Sequence, residues 1–597
     1  MLSRRAFGVG AMALSQVGFP AWAATADMQH AAMLQRFAEA FLRRSPEEAT
    51  GVGFDTAAEI GLRSRLDDRS LAARGVDRAA VAQARAQLAT FDRASLGPAA
   101  QRDHDVARFV CDTLADLLAR PGYVDINLRP SPYVINQMNG AYFWLPDFIG
   151  ARHPLATPAD GKAWLSRLAA LAVAIDQESE RIAHDAAQGV VPPDFIITRT
   201  LAQLKALRDT PPLASALIAP ALARAAARGL PDMSGPAEAV FRQQIAPALD
   251  RQMAALRAVA PHAVAIPGVW RLPDGDGYYA AALKANTTAQ PDPADLHQEG
   301  LAQCAALSAE IATLLAAQGL TSGSIGDRIA ALDTDPRLMM SNDDAGRGRI
   351  MRAAESALAK VIERLPRAFG DVSVDPVGIR RIPVAVEAGA PGAFYSDGGK
   401  GEPGVISLNL KTPAEHPLWR LPTLIHHEGV PGHHFQYSVL GAAGDVSLFR
   451  RIVRFSAYTE GWALYAEQVA AEIGVYDDDP FGRIGMLQSQ LFRAARIVVD
   501  TGLHHKRWSL AQAVDWMVTN AFEQPTASLR EVVRYSVYPG QACSFKVGAN
   551  RINHARGVAQ TAMGARFRMQ DFHDLVLKAG PVPMTVLENA VAQWAGA

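Results

Sequence analysis

Four histidines and a glutamate fall within nine residues of the segment Leu424-Ile-His-His-Glu-Gly-Val-Pro-Gly-His-His-Phe-Gln436, in a chain with only 15 histidines. Imidazole and carboxylate are the usual ligands of a hydrolytic zinc ion. In the pattern His-Glu-x-x-His, two histidines four apart share one helix face and the intervening glutamate polarises the water. Here His427-Glu428 opens the pattern, but the position four along is Pro431, and the next histidines are His433 and His434. On a straight helix His433 would point about 120° away from His427, and His434 would lie about 10 Å further along the axis. Neither could then share a zinc whose nitrogen bonds are about 2.0–2.1 Å. Pro431 has no N–H to give the carbonyl of His427, and Gly432 tolerates unusual dihedrals. The sequence therefore predicts a bulge that absorbs two residues and brings His433, in preference to His434, to the second ligand position.

A third ligand must come from another helix. Tyr458-Thr-Glu-Gly-Trp-Ala-Leu-Tyr-Ala-Glu467 is helix-like and carries Glu460 and Glu467, 27 and 34 residues beyond His433. Glu460 is the expected ligand because Gly461 beside it allows another backbone to come close. Glu467, on the same face, suits an outer role orienting a ligand histidine. His434 and Asp500 are assigned to the same outer ring. Asp500 and His504, four apart, either hydrogen-bond each other or simply decorate a helix.

Four ordered motifs carry a resemblance. They are the His-Glu-x-x-Pro-Gly-His-His-x-Gln core, Glu-Gly-Trp-Ala-x-Tyr-x-Glu, Arg493-Ala-x-Arg496-x-Val-Val-Asp500-Thr-Gly-x-His504, and Arg534-Tyr535-x-x-x-Pro539-Gly-Gln541. Together they resemble the bacterial family called domain of unknown function 885, in detail from Gly378 to the C-terminus and loosely before it. That family is similar in its metal segment to the thermolysin-like clan, especially the helical oligopeptidases of the thimet and neurolysin type. The resemblance implies a mainly α, bilobal fold with a deep channel and a small sheet beside the active-site helix. It supports His427, His433 and Glu460 as ligands of one zinc ion, and it marks Asn409, Arg534, Tyr535 and Gln541 as substrate-contacting. Members usually show a tyrosine where this chain has Phe545. If that tyrosine stabilises the oxyanion, Tyr538, Tyr535 or His504 must substitute.

The expected chemistry is hydrolysis of peptide bonds by metal-activated water, with Glu428 as the general base. The glycine-rich segment 392–404, with Asn409 on the strand after it, is expected to hold peptide backbone by strand addition. Two rivals remain: an amidase or esterase acting on a small metabolite, and a non-catalytic protein with a structural zinc. A structural zinc would need a fourth ligand, from His426, His434 or Glu467, and would have no use for Glu428.

The elements that must position these groups are mostly helical. Apolar spacings of three and four over 161–180 and 236–259 predict amphipathic helices within a helical region 24–320. The catalytic region 321–597 contains two β-branched runs, 379–386 and 405–410, separated by the glycine-rich loop 388–404. Their pairing is either a structural hairpin or a substrate-binding edge. Helix returns after Pro422, with Ser509 as a cap.

At 597 residues, 49% hydrophobic and 20% charged, the chain has the composition of an ordinary folded protein. Its 59 basic and 60 acidic residues give no global field that would draw it to nucleic acid. Cys111, Cys304 and Cys543 match no metal or redox spacing and are expected as packed thiols. Residues 1–23 read as a signal peptide, of twin-arginine type in preference to a Sec-type signal or anchor. Arg4-Arg5 precedes a mildly apolar run, and Ala21-Trp22-Ala23 supplies the small residues of a cleavage site. The mature protein is expected to start near Ala24, to be periplasmic or secreted, and to have no later membrane span. Its oligomeric state is not readable.

Overall fold

Proline in the first turn, with a side-chain acceptor just before it, fixes several helix starts. Thr157 and Asp160 form a reciprocal capping box ahead of Pro158, and Asp479 accepts the Gly482 N–H ahead of Pro480. The expected cap at Ser509 forms too, its hydroxyl accepting the Gln512 N–H. The computed structural model describes residues 21–125, 127–370, 374–384, 387, 392–397, 403–442 and 446–597. The expected signal peptide lies almost entirely outside them, as does much of the loop 388–404.

The fold is mainly α-helical with two small sheets. The helices used below are α1 (Ala21–Arg44), α2 (Pro98–Leu118), α3 (Pro158–Ala187), α4 (Ala246–Val259), α5 (Gly275–Thr287), α6 (Pro293–Ala317), α7 (Asp344–Arg364), α8 (Leu421–Glu428), α9 (His433–Ala442), α10 (Ser456–Glu472), α11 (Pro480–His504), α12 (Pro525–Tyr535) and α13 (Ser544–Met563). The helix expected over 161–180 lies inside α3. The one expected over 236–259 is broken by a wider turn at Phe241–Ile245 ahead of α4. Pro247 supplies the reason, since it has no N–H and its ring crowds the preceding turn.

Strands β1 (Tyr123–Val124) and β2 (Pro130–Ser131) make a two-residue antiparallel ribbon. The second sheet contains β3 (Val377–Arg381), β4 (Ala393–Ser396) and β5 (Gly404–Leu408), in the order β3-β5-β4. β3 runs parallel to β5, so the two β-branched runs form no hairpin. The strand antiparallel to β5 is β4, which lies in the segment expected to be loop. Only four residues, Ala-Phe-Tyr-Ser, form it, too short a stretch for alternation to stand out among glycines.

Buried side chains gather into several cores. Trp164, Leu168 and Ile175 of α3 pack with Leu249 and Met253 of α4, all from residues 134–259. The core beneath the histidine segment is assembled from distant stretches. Met33 and Leu34 of α1 and Val106 of α2 join Ile406 of β5, Ile425 of α8, Phe435 of α9, Trp462 of α10 and Ile552 of α13. A third core sets Ile311 and Leu315 of α6 against Leu487, Leu491 and Val498 of α11. Among the described residues α6 alone is long and apolar enough, by composition, to cross a membrane, and it lies along α11. α10 and α13 cross where Gly461 meets Gly548, and a Cβ on Gly461 would sit 2.6 Å from the Gly548 backbone. The close approach expected beside Glu460 is thus made by α13. All three cysteines are free and buried.

Candidate metal centre

The histidine helix is broken rather than bulged. α8 ends at Glu428, the Val430–Pro431 peptide is cis, and α9 begins at His433. Pro431 cannot donate to the carbonyl of His427, and Gly432 packs so tightly that a Cβ there would lie 2.0 Å from that oxygen. The carbonyl of Pro431 accepts the indole N–H of Trp462 at 2.9 Å, which anchors the turn to α10.

Across this break the rings of His427 and His433 stand 5.0 Å apart at 87°. Glu460 Oε2 lies 3.8 Å from His427 Nε2 and 3.6 Å from His433 Nε2. One ligand atom from each of the three residues lies within 4.8 Å of the other two, so the group could hold a metal ion. His427 is oriented from behind: its Nδ1 bonds Glu467 Oε1 at 2.8 Å. Glu467 is fully buried and also accepts from Ser489 Oγ at 3.0 Å and Gln490 Nε2 at 3.3 Å. His433 Nδ1 is buried without a partner among the described residues.

The electrostatics fit a cation. Burial alone would push the His427 imidazole toward lower pKa, but its bonds to Glu460 and Glu467 outweigh that and raise it to about 9. Burial would likewise raise the Glu460 carboxyl, yet the two histidines hold it well below the usual range. The cluster therefore retains a proton between carboxylates. Two imidazole nitrogens and a carboxylate oxygen converging on that place form a donor set suited to zinc, and a metal would displace the proton.

Glu428 sits one residue after the first ligand and is half-buried, its Oε2 accepting the Tyr395 N–H of β4 at 3.0 Å. A cavity of about 1320 Å³ opens beside the cluster, with His427, Glu428, His433, Glu460, Tyr395, Tyr437, Asn409 and Arg534 on its wall.

The other expected residues fall differently. His434 turns to the sheet, 3.1 Å from Tyr395 Oη and 2.7 Å from the Asp375 carbonyl, and is no part of the ligand group. His426 is buried against Tyr476 Oη at 2.9 Å. Asn409 lines the cavity while its amide donates to the Glu387 carbonyl at 2.8 Å.

Three expected oxyanion donors are off the cavity wall, and each is committed elsewhere. Tyr538 Oη donates to the Met138 carbonyl at 2.9 Å, and Tyr535 Oη to Glu531 at 3.0 Å. His504 is held between the Val269 N–H and the Tyr535 carbonyl, both at 3.1 Å. Gln541 accepts from Arg534 and is also off the wall. Asp500 does not bond His504. It accepts from Tyr279 Oη at 2.7 Å and from the Gly540 N–H at 3.0 Å, and burial raises its carboxyl to about 7. Four-residue spacing put Asp500 and His504 on one helix face, but that face meets Tyr279 of α5 rather than lining the cavity.

The family described as bacterial protein of unknown function (DUF885) matches residues 46–591. This chain belongs to the DUF885 family. Two solved structures are similar to this DUF885 protein over nearly its whole length. A candidate lipoprotein of Colwellia psychrerythraea is 29% identical, with a TM-score of 0.89 over 96% of this chain and 99% of that one. A candidate lipoprotein of unknown function from Shewanella oneidensis shares the fold at 18% identity, with a TM-score of 0.72 over 94% and 99%. No functionally curated protein matches this DUF885 chain.

Proposed function

We propose that this protein is an exported zinc-dependent hydrolase that cleaves peptide bonds. The observation that carries the reading is the pairing of a three-ligand group, His427, His433 and Glu460, with an unligated carboxylate, Glu428, on the same cavity wall. A structural zinc usually has four protein ligands, whereas three leave a position open to water. A zinc ion bound there would lower the pKa of a water toward about 7 and polarise the scissile carbonyl.

The chain's own residues supply the rest. Glu428 takes the proton of the attacking water and returns it to the leaving amine as the C–N bond breaks. The Tyr395 N–H holds that carboxylate in place. Glu467 keeps His427 in the tautomer that turns Nε2 to the metal. Tyr437, one helical turn beyond His433, lines the cavity and supplies a hydroxyl to meet charge developing on the carbonyl oxygen. Strand β4 is the edge of its sheet and borders the cavity, which suits it to pair with extended peptide backbone. Export is supported by the twin-arginine leader and by the lipoprotein descriptions of the two similar structures.

The test is zinc content and peptide-library turnover for wild type and Glu428→Gln. The expected result is equal zinc with turnover reduced by roughly 10²–10⁴-fold. Undiminished turnover in the variant, or a wild-type protein that takes up no metal, overturns the reading.

A further inference from the structure

Helix α11 presents two arginines to the cavity, each with guanidinium nitrogens that find no partner among the described residues. Arg496 is 6% exposed; its Nη2 donates to Glu531 Oε2 at 2.8 Å, while Nε and Nη1 are buried with no partner among the described residues. Arg493 lies one turn earlier on the same face. Its Nη1 donates to Ser489 Oγ at 3.0 Å, its Nε is buried without a partner, and it makes no ion pair among the described residues. Burying a guanidinium with idle donors costs free energy, and such groups are rare unless something outside the chain completes them.

Two phenyl rings flank both guanidinium groups. The Arg496 guanidinium carbon lies 4.5 Å from the Phe492 ring centre and 4.7 Å from that of Phe545, and Arg493 lies 5.4 and 6.0 Å from the same rings. The rings cover the faces of the guanidinium planes, and both line the cavity. Phe545, where the family's tyrosine was expected, thus backs the arginines.

Glu531, which pairs with Arg496, is already shared. It accepts from Arg496 and Tyr535 and lies 3.5 Å from Arg534 Nη1. Among the described residues Arg496 and Arg534 thus share one glutamate. Ser489 links the wall to the metal ligands, since its hydroxyl accepts from Arg493 and donates to Glu467, which in turn holds His427.

A planar anion with two oxygens is what two adjacent guanidinium forks recognise best. We infer that Arg493 and Arg496 form a carboxylate subsite, and that the substrates are short peptides with a free C-terminal carboxylate, cut close to that end. This rests on the hydrolase reading above and adds to it the substrate class and the polarity of binding. Peptide held this way lies with its C-terminus against α11 and its preceding residues toward β4, so the products are a shortened peptide and a small C-terminal fragment.

The test uses one library of N-acetylated tetrapeptides made twice, with free C-termini and with C-terminal amides. Both are passed over immobilised, zinc-loaded Glu428→Gln protein, and retention is read by mass spectrometry. The free acids should be retained at least roughly tenfold better than the amides, the value of one charge-assisted contact. Arg493→Gln and Arg496→Gln, checked for wild-type zinc content and melting temperature, should erase that preference, and Arg496→Lys should restore part of it. On active protein the same changes should raise KM for acids far more than they lower kcat. Equal retention of acids and amides overturns the subsite and leaves the hydrolase reading standing. Retention of neither overturns it too, and only a separate absence of turnover by the wild-type protein would reach the hydrolase reading. The wild-type acid-to-amide ratio needs no variant, so a substitution that fails to fold does not rescue the idea.

Discussion

Trp462 donates its indole N–H to the carbonyl of Pro431 at 2.9 Å, and so fastens the break in the histidine helix to the helix that carries Glu460. Trp462 is fully buried, two residues after Glu460. The turn before His433 and the helix that carries Glu460 are therefore coupled by a shared contact.

Removing that bond should loosen the site without emptying the core. Trp462→Phe keeps most of the buried ring but leaves the Pro431 carbonyl unpaired, a loss of about 1–3 kcal/mol in stability. Zinc affinity, measured by competition with a chromogenic chelator, should fall with it. An unchanged affinity would show that the turn holds its shape unaided.

Gly432 offers a sharper test of the break. A methyl group there would collide with the carbonyls of His426 and His427, at 2.4 and 2.0 Å, and backbone must move to admit it. Gly432→Ala should therefore displace His433 and remove stoichiometric zinc while circular dichroism still reports a helical protein. A variant with full zinc would mean that His433 is not a ligand.

Glu467 acts through His427. Glu467→Gln keeps the shape and removes the charge, and the expected cost is 10–100-fold in zinc affinity, typical of losing such a partner. Glu460→Gln removes a ligand, so its loss should be larger. If the two variants bind zinc equally well, the proposed division between ligand and support is wrong.

His504 should make the fold acid-sensitive. Burial lowers its pKa to about 4, against about 6.5 in the unfolded chain, so folding favours the neutral ring. Its contribution is intact above pH 6.5 and is lost as pH falls toward 4, because only the unfolded chain takes up the proton. The slope is about 1.4 kcal/mol per pH unit. Asp500 and Asp67, each raised to about 7, work in the opposite direction, so the difference between variants is the cleaner quantity. Denaturant melts of wild type and His504→Gln at pH 6.5, 5.5 and 4.5 should show the smaller acid loss in the variant. Parallel curves would refute the assignment.

The ligand group was legible because its chemistry is local. His427 and Pro431 show where an ordinary zinc helix fails, and Gly432 shows how the chain can turn back on itself. Choosing His433 over His434 followed from that geometry, although the turn proved a full break, with a cis peptide that spacing does not reveal. The places of Tyr538 and His504 were not legible. Helical spacing tells which residues share a face, but which face meets the cavity depends on what packs behind it, here α5, some 220 residues earlier, through the Tyr279–Asp500 bond. Arg493 and Arg496 stood in plain view within a motif. Nothing in their sequence neighbourhood shows that their donors go unpaired, because that is a property of the folded environment alone.

Met33 and Phe435 belong to the same buried core although some four hundred residues separate them. Part of the apolar face of α1 is covered only once the histidine segment has been made, and contacts of such long range form slowly. A fragment that lacks either helix leaves this core open beneath the histidine pocket. A product cut short before the histidine segment would leave that part of α1 bare, open to proteases and chaperones.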